Sequence, residues 1–101
     1  METRRFMRRP TSPGEILKEE YLAPLGLTQK IVADHLGIDI KVINRLVNGK
    51  TSVSPELALK LAAAFDTTPE FWMNAQLAID LFDAHEEIKK EELPTKLNKA
   101  G

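Results

Sequence analysis

The 101-residue chain contains no cysteine. That excludes disulfides, thiolate metal sites and cysteine nucleophiles, and it fits a reducing cytoplasm. No apolar run approaches the roughly 20 residues that a membrane-spanning helix needs. The arginines near the N-terminus are not followed by an apolar stretch, so the pattern of a secretory signal is missing. Alternating β-branched runs bounded by turns are missing too, which leaves no strand signal. There is no glycine-rich phosphate loop and no nucleophile beside a base, so no enzyme is expected. The two histidines, His35 and His85, stand far apart in the sequence and suggest no metal site or cofactor. Glu86, Glu87, Glu91 and Glu92 read as a solvated acidic face.

What is present points to one small globular domain. Hydrophobic residues make up 43% and charged residues 29% of the chain, enough for a single modest core. The formal net charge of −1 hides an asymmetry. Residues 1–50 carry nine Lys/Arg against six Asp/Glu, giving +3, while residues 51–101 carry five against nine, giving −4. Phosphate attraction acts over about one Debye length, roughly 8 Å at physiological salt, so local charge outweighs the total. A basic face at one end is therefore compatible with an acidic protein.

The most specific stretch is residues 28–49. Apolar residues fall at Ile31, Val32, Ala33 and Leu36, then at Ile38, Val42, Ile43, Leu46 and Val47. Each group fits a helical period, but the phase resets between them. Gly37 sits at the reset, where a turn can require positive φ. Ala33 is small enough for the second helix to approach the first. Asp39 supplies a side-chain oxygen to cap that second helix. Helix, glycine turn and capped helix in roughly 20 residues form the helix-turn-helix pattern, whose second helix enters the DNA major groove.

The flanking chain supplies three more helices. Ser12-Pro13-Gly14-Glu15 is a capping box with proline at the first helical position. Ser54-Pro55-Glu56 and Thr68-Pro69-Glu70 repeat the cap, the proline and an acid in the first turn, which suits the helix dipole. The first helix is expected over residues 13–23, burying Ile16, Leu17 and Tyr21, with Pro24 and Gly26 ending it. Thr28 caps the second helix. The third is expected over residues 40–47, closing at Asn48-Gly49. The fourth spans residues 55–65 and buries Leu57, Ala58, Leu61, Ala62 and Phe65. The fifth begins at Pro69 and runs at least to Ala84. The expected fold is all-α, a compact five-helix domain over residues 12–84. A flexible basic arm precedes it (1–11, with Arg4, Arg5, Arg8 and Arg9 around Phe6 and Met7), and a charged tail follows (85–101). The arm could reach phosphates, pair with a partner or simply solubilise the chain.

The fifth helix is apolar over more than one face, at Phe71, Trp72, Met73, Ala75, Leu77, Ala78, Ile79, Leu81 and Phe82. A small domain can cover only one of those faces. Self-association through Leu77, Leu81 and Phe82 is expected, giving a twofold homodimer with two recognition helices. The alternative is that these residues pack on the basic arm. Trp72 reads as core or interface, not as a stacking platform.

On the third helix the outward side chains are Ile40, Lys41, Asn44 and Arg45, the expected base readers. Arg45 and Lys41 can donate to guanine, Asn44 can pair with adenine, and Ile40 can touch a thymine methyl. Thr28 and Gln29 at the start of the second helix, and Asn48, Lys50 and Thr51 after the third, are expected on phosphates.

These residues resemble a known family. The helix-turn-helix is similar to that of phage repressors and Cro. Pro13-Gly14-Glu15-Ile16-Leu17, Leu27-Thr28-Gln29, Asn48-Gly49-Lys50, Ala58 to Leu61-Ala62, and Pro69-Glu70-Phe71-Trp72 with Gln76 resemble the HigA antitoxins, also called VapI. The resemblance covers residues 8–82. It implies a bacterial antitoxin that neutralises a HigB-type mRNA endonuclease. It also implies repression of the antitoxin's own operon, by a dimer on double-stranded operator DNA. By position, Ile40, Lys41 and Arg45 would read bases, with Gln29 and Asn48 near phosphate. Two positions depart from the family pattern: Asp39 replaces a serine cap, and Ile40 stands where a polar reader is frequent. The alternatives are a stand-alone dimeric repressor with no toxin, and a protein-binding module that has lost operator recognition.

Overall fold

The computed structural model describes residues 8–98. The sequence features at Arg4, Arg5, Phe6 and Met7 lie outside the described residues. Within them the chain is all-helical, with no strand. Helix α1 covers residues 13–25, α2 Gln29–Leu36, α3 Ile40–Val47, α4 Pro55–Phe65 and α5 Pro69–Glu87, followed by a short 3-10 turn at Lys90–Glu92.

The capping chemistry at the helix starts is as the sequence predicts. Ser12 Oγ accepts from the Glu15 N–H at 3.2 Å, and the Glu15 carboxylate accepts from the Ser12 N–H at 3.1 Å. Thr28, Asp39, Ser54 and Thr68 each accept a backbone N–H of the helix that follows. Each cap satisfies a donor that the first turn leaves without a partner.

Helix α1 departs from the sequence expectation. Pro24 does not end it. The rod begins as α-helix at Pro13–Ile16, widens to a π-helix over Leu17–Leu22, and returns to α-helix at Ala23–Leu25. In the wide stretch the Ala23 N–H donates to Lys18 O, five residues back. An α-helical turn would press the Pro24 ring onto a carbonyl four residues earlier. The widened turn moves that carbonyl aside, so the helix passes through the proline and stops at Leu25, beside Gly26. The same widening puts both Leu17 and Leu22 in the core, and Leu22 was not among the residues expected there.

Leu17, Ile43, Leu46, Leu61 and Trp72 are fully buried. Tyr21 stacks obliquely between Phe65 at 4.7 Å and Trp72 at 5.8 Å, and Phe71 meets Trp72 edge-on at 5.1 Å. The Trp72 indole N–H donates to Thr67 Oγ1 at 2.7 Å, so its one polar atom is satisfied inside the core. Helices α4 and α5 pack along each other, α2 and α3 form the angled pair, and α1 lies against α3 and α5.

Two glycines set the angles that matter for α3. Gly37 has φ +69°, and the Ile38 N–H then reaches back to Ala33 O at 3.0 Å, closing α2. Gly14 is a different case. A Cβ there would lie 1.9 Å from Leu46 O and 2.9 Å from Val47 Cα. The first turn of α1 therefore rests backbone-to-backbone on the last turn of α3, and only glycine leaves room.

Candidate nucleic-acid interface

Helix α3 is held from beneath by Ile43 and Leu46, both buried. Ala33, 1% exposed, is the small residue at the α2–α3 crossing. With that face fixed, the other face must point outward. Ile40, Lys41, Asn44 and Arg45 are all exposed, as expected, and Val42 joins them at the edge. The structure thus brings the four expected base-reading residues onto one accessible stripe.

The stripe is not made of unattached side chains. Arg45 Nη2 lies 3.4 Å from Lys50 O, so the guanidinium leans toward the loop after α3. Asn44 Nδ2 donates to Gln29 Oε1 at 3.2 Å, joining α3 to the start of α2. Asn48 Nδ2 donates to Asn44 O at 2.9 Å, which closes the end of α3. Lys41 is exposed at the first turn, where its backbone N–H donates to Asp39 Oδ1 at 2.8 Å.

The expected phosphate residues lie beside the stripe, at the start of α2, and beyond its end, after α3. Thr28 and Gln29 open α2, and Thr28 Oγ1 accepts from the Ile31 N–H at 3.1 Å. Asn48, Lys50 and Thr51 follow α3 and are exposed. A helix flanked in this way can lie between two backbones, with its middle on base edges.

Three contacts around the stripe were not assigned a role from sequence. Gln76 is buried: its Oε1 accepts from the Val53 N–H at 2.9 Å, and its Nε2 donates to Asp80 Oδ1 at 2.9 Å. This pins the loop that carries Lys50 and Thr51 to α5. Its signal in the sequence was the spacing of Gln76 with Trp72 and Ile79, which places a polar residue on the core face. Arg9 belongs to the expected basic arm. It pairs with Asp83, and its guanidinium lies 5.8 Å from the Phe82 ring centre. Gly14 is the third contact, and its role appears only when α1 and α3 are placed together.

Arg9, Ser12, Lys50, Thr51, Asp80 and Asp83 line one shallow groove of about 190 Å³ beside the stripe. The Glu15 carboxyl nearby is held below the usual carboxylate range. The Ser12 backbone N–H contributes most and the Ser12 hydroxyl next; burial opposes them, and Arg9 adds the least.

On α5, Trp72, Gln76 and Ile79 face the core. Leu77 is 55% and Leu81 42% exposed on the far side. Phe82 stands apart from them, half-buried under Arg9. No helix among the described residues is long and apolar enough to cross a membrane.

The helix-turn-helix family signature matches residues 17–72. Antitoxin HigA-1 of Vibrio cholerae serotype O1 is 44% identical over 88 residues, covering 87% of this chain and 83% of that protein. An uncharacterized HTH-type transcriptional regulator of Haemophilus influenzae is 49% identical over 76 residues, or 75% of this chain and 71% of that one. The structure of antitoxin GraA in complex with its operator superposes with a TM-score of 0.81 at 35% identity, covering 90% of this chain and 95% of GraA. Sequence, fold and the placement of α3 agree: this chain belongs to the HigA family of helix-turn-helix antitoxins.

Proposed function

We propose that the chain is a DNA-binding antitoxin that represses its own operon and neutralises a HigB-type mRNA endonuclease. The observation that carries the DNA half is the exposed Lys41–Asn44–Arg45 stripe, with phosphate-suited residues beside it at the start of α2 and beyond the end of α3. Lys41 and Arg45 face guanine edges, Asn44 faces adenine, and Ile40 offers a methyl contact. Thr28, Gln29, Asn48, Lys50 and Thr51 set the register on phosphates. The GraA–operator complex, with the same fold over most of its length, supports this docking.

Dimerisation through Leu77 and Leu81 puts two copies of α3 on one duplex, about 34 Å apart on a near-palindromic site. Their exposure on the face of α5 opposite Trp72 and Ile79 supports that interface. Phe82 lies at its margin. The toxin half rests on family membership. The second reading, a stand-alone dimeric repressor, draws support from the similarity to the Haemophilus influenzae regulator.

Co-expression with the adjacent reading frame, followed by pull-down, separates the two. Recovery of a small basic endonuclease in complex supports the antitoxin. Operator binding with no captured partner supports the repressor. Binding over a salt series tests the DNA half of both, because affinity must fall steeply as salt rises if phosphates are gripped.

A further inference from the structure

Gln29 and Asn44 belong to different helices, yet their side-chain amides are bonded at 3.2 Å on the outer side of the motif. An asparagine or glutamine amide carries one acceptor oxygen and two donor hydrogens. The bond engages the Gln29 acceptor and one Asn44 donor. Gln29 therefore retains its Nε2 donors, at a helix start where the first backbone amides also favour an anion. Asn44 retains Oδ1, with Nδ2 drawn toward Gln29, and also one Nδ2 hydrogen. Ile40, one turn earlier and 43% exposed, has no side-chain polar atom. Ile40 therefore adds no polar discrimination, which is left to Lys41, Asn44 and Arg45.

We infer that Gln29 is a positioning residue for Asn44: it fixes which edge of the Asn44 amide faces the major groove, and so which base is read there. With Nδ2 drawn toward α2, Asn44 presents Oδ1 outward. The base it selects must offer an amino hydrogen, adenine N6 or cytosine N4. Gln29 thereby influences specificity without touching a base, in addition to any phosphate contact it makes. This rests on α3 being the base-reading helix.

The test is a double-mutant cycle on the DNA upstream of the chain's own gene, compared with duplexes carrying single base-pair substitutions. The parent, Gln29→Ala, Asn44→Ala and the double variant are measured at one salt concentration. Asn44→Ala is expected to erase a preference of roughly tenfold at one base pair. Gln29→Ala is expected to remove most of that preference, and to change it no further once Asn44 is gone. Gln29→Glu keeps the acceptor oxygen but loses the donors. It should weaken binding to every duplex while leaving the preference in place.

A Gln29→Ala variant that binds all duplexes more weakly with its preference intact overturns the inference and leaves Gln29 as a phosphate contact only. An Asn44→Ala variant that keeps the parent's preference at every base pair overturns it as well. If the parent shows no base preference anywhere in the site, the base-reading role of α3 fails instead, and the two failures are told apart.

Discussion

Replacing Gly14 by alanine probes how α3 is held. The added Cβ would sit 1.9 Å from Leu46 O, where ordinary contact begins at 3.4 Å, so the two backbones must part by the difference, about 1.5 Å. Both sides of this contact are main chain, so no rotamer change relieves it. Alanine is the better helix former by up to about 1 kcal/mol, which works in favour of the variant. Against it stands overpacking, typically about 1–3 kcal/mol and more where nothing can yield. Moving α1 also disturbs the core to which Leu17, Ile43 and Leu46 belong, all three fully buried. The clash outweighs the propensity gain, for a net loss of roughly 2 kcal/mol. In a domain of this size that lowers the melting temperature by roughly 8–16 °C. Thermal unfolding followed by circular dichroism measures it. Gly37→Ala is the comparison: its Cβ meets nothing within 4 Å and the only penalty is the φ of +69°, worth roughly 1–2 kcal/mol. Gly14→Ala should also weaken operator binding beyond what Gly37→Ala does at matched stability, because it displaces α3 directly. A Gly14→Ala protein that melts with the parent or above it would refute the close-approach argument.

Three further outcomes follow from the same geometry. Arg45→Ala should collapse the preference for the operator over other DNA, whereas Lys50→Ala should weaken binding to all sequences alike, both read by titration with operator and scrambled duplexes. Leu77→Glu combined with Leu81→Glu should yield a folded monomer by sedimentation, since both side chains lie outside the core; a variant that still dimerises would move the interface elsewhere on the chain. The depressed Glu15 carboxyl stabilises the fold above its unfolded value, and that contribution is lost as pH falls through the folded value. The parent should therefore be more stable than Glu15→Gln at neutral pH and should lose that advantage as the pH falls below the ordinary glutamate range in urea unfolding, and a gap that widens on acidification would reverse the assigned sign.

Much of this architecture was legible because its signals are local. Ser12, Thr28, Asp39, Ser54 and Thr68 announce helix starts through short-range bonds that their own neighbours complete. The outward placement of Lys41, Asn44 and Arg45 followed from the period that buries Ile43 and Leu46. What escaped depends on elements meeting in space. Pro24 reads as a stop unless the turn before it widens. Gly14 looks like a weak helix residue until Leu46 is placed above it. Gln76 looks like one more polar residue until the Val53 N–H needs a buried acceptor. The Asn44–Gln29 bond joins residues assigned to separate tasks, one to bases and one to phosphate. Leu77 and Leu81 were picked out by the excess of apolar surface on α5, and they remain exposed. Phe82 was grouped with them, although its ring lies under Arg9.

The wide π stretch in α1 amounts to a phase adjustment. Removing one residue between Leu17 and Leu22 would rewind the rod to ordinary pitch and rotate its opening turn by roughly 100°. Gly14 would then swing off Leu46, and a side chain would face the carbonyl in its place. The surplus residue keeps the two ends of one rod indexed to different neighbours, so a single-residue deletion at Lys18 or Glu19, both solvent-facing, should disable the reading head as surely as a change within it.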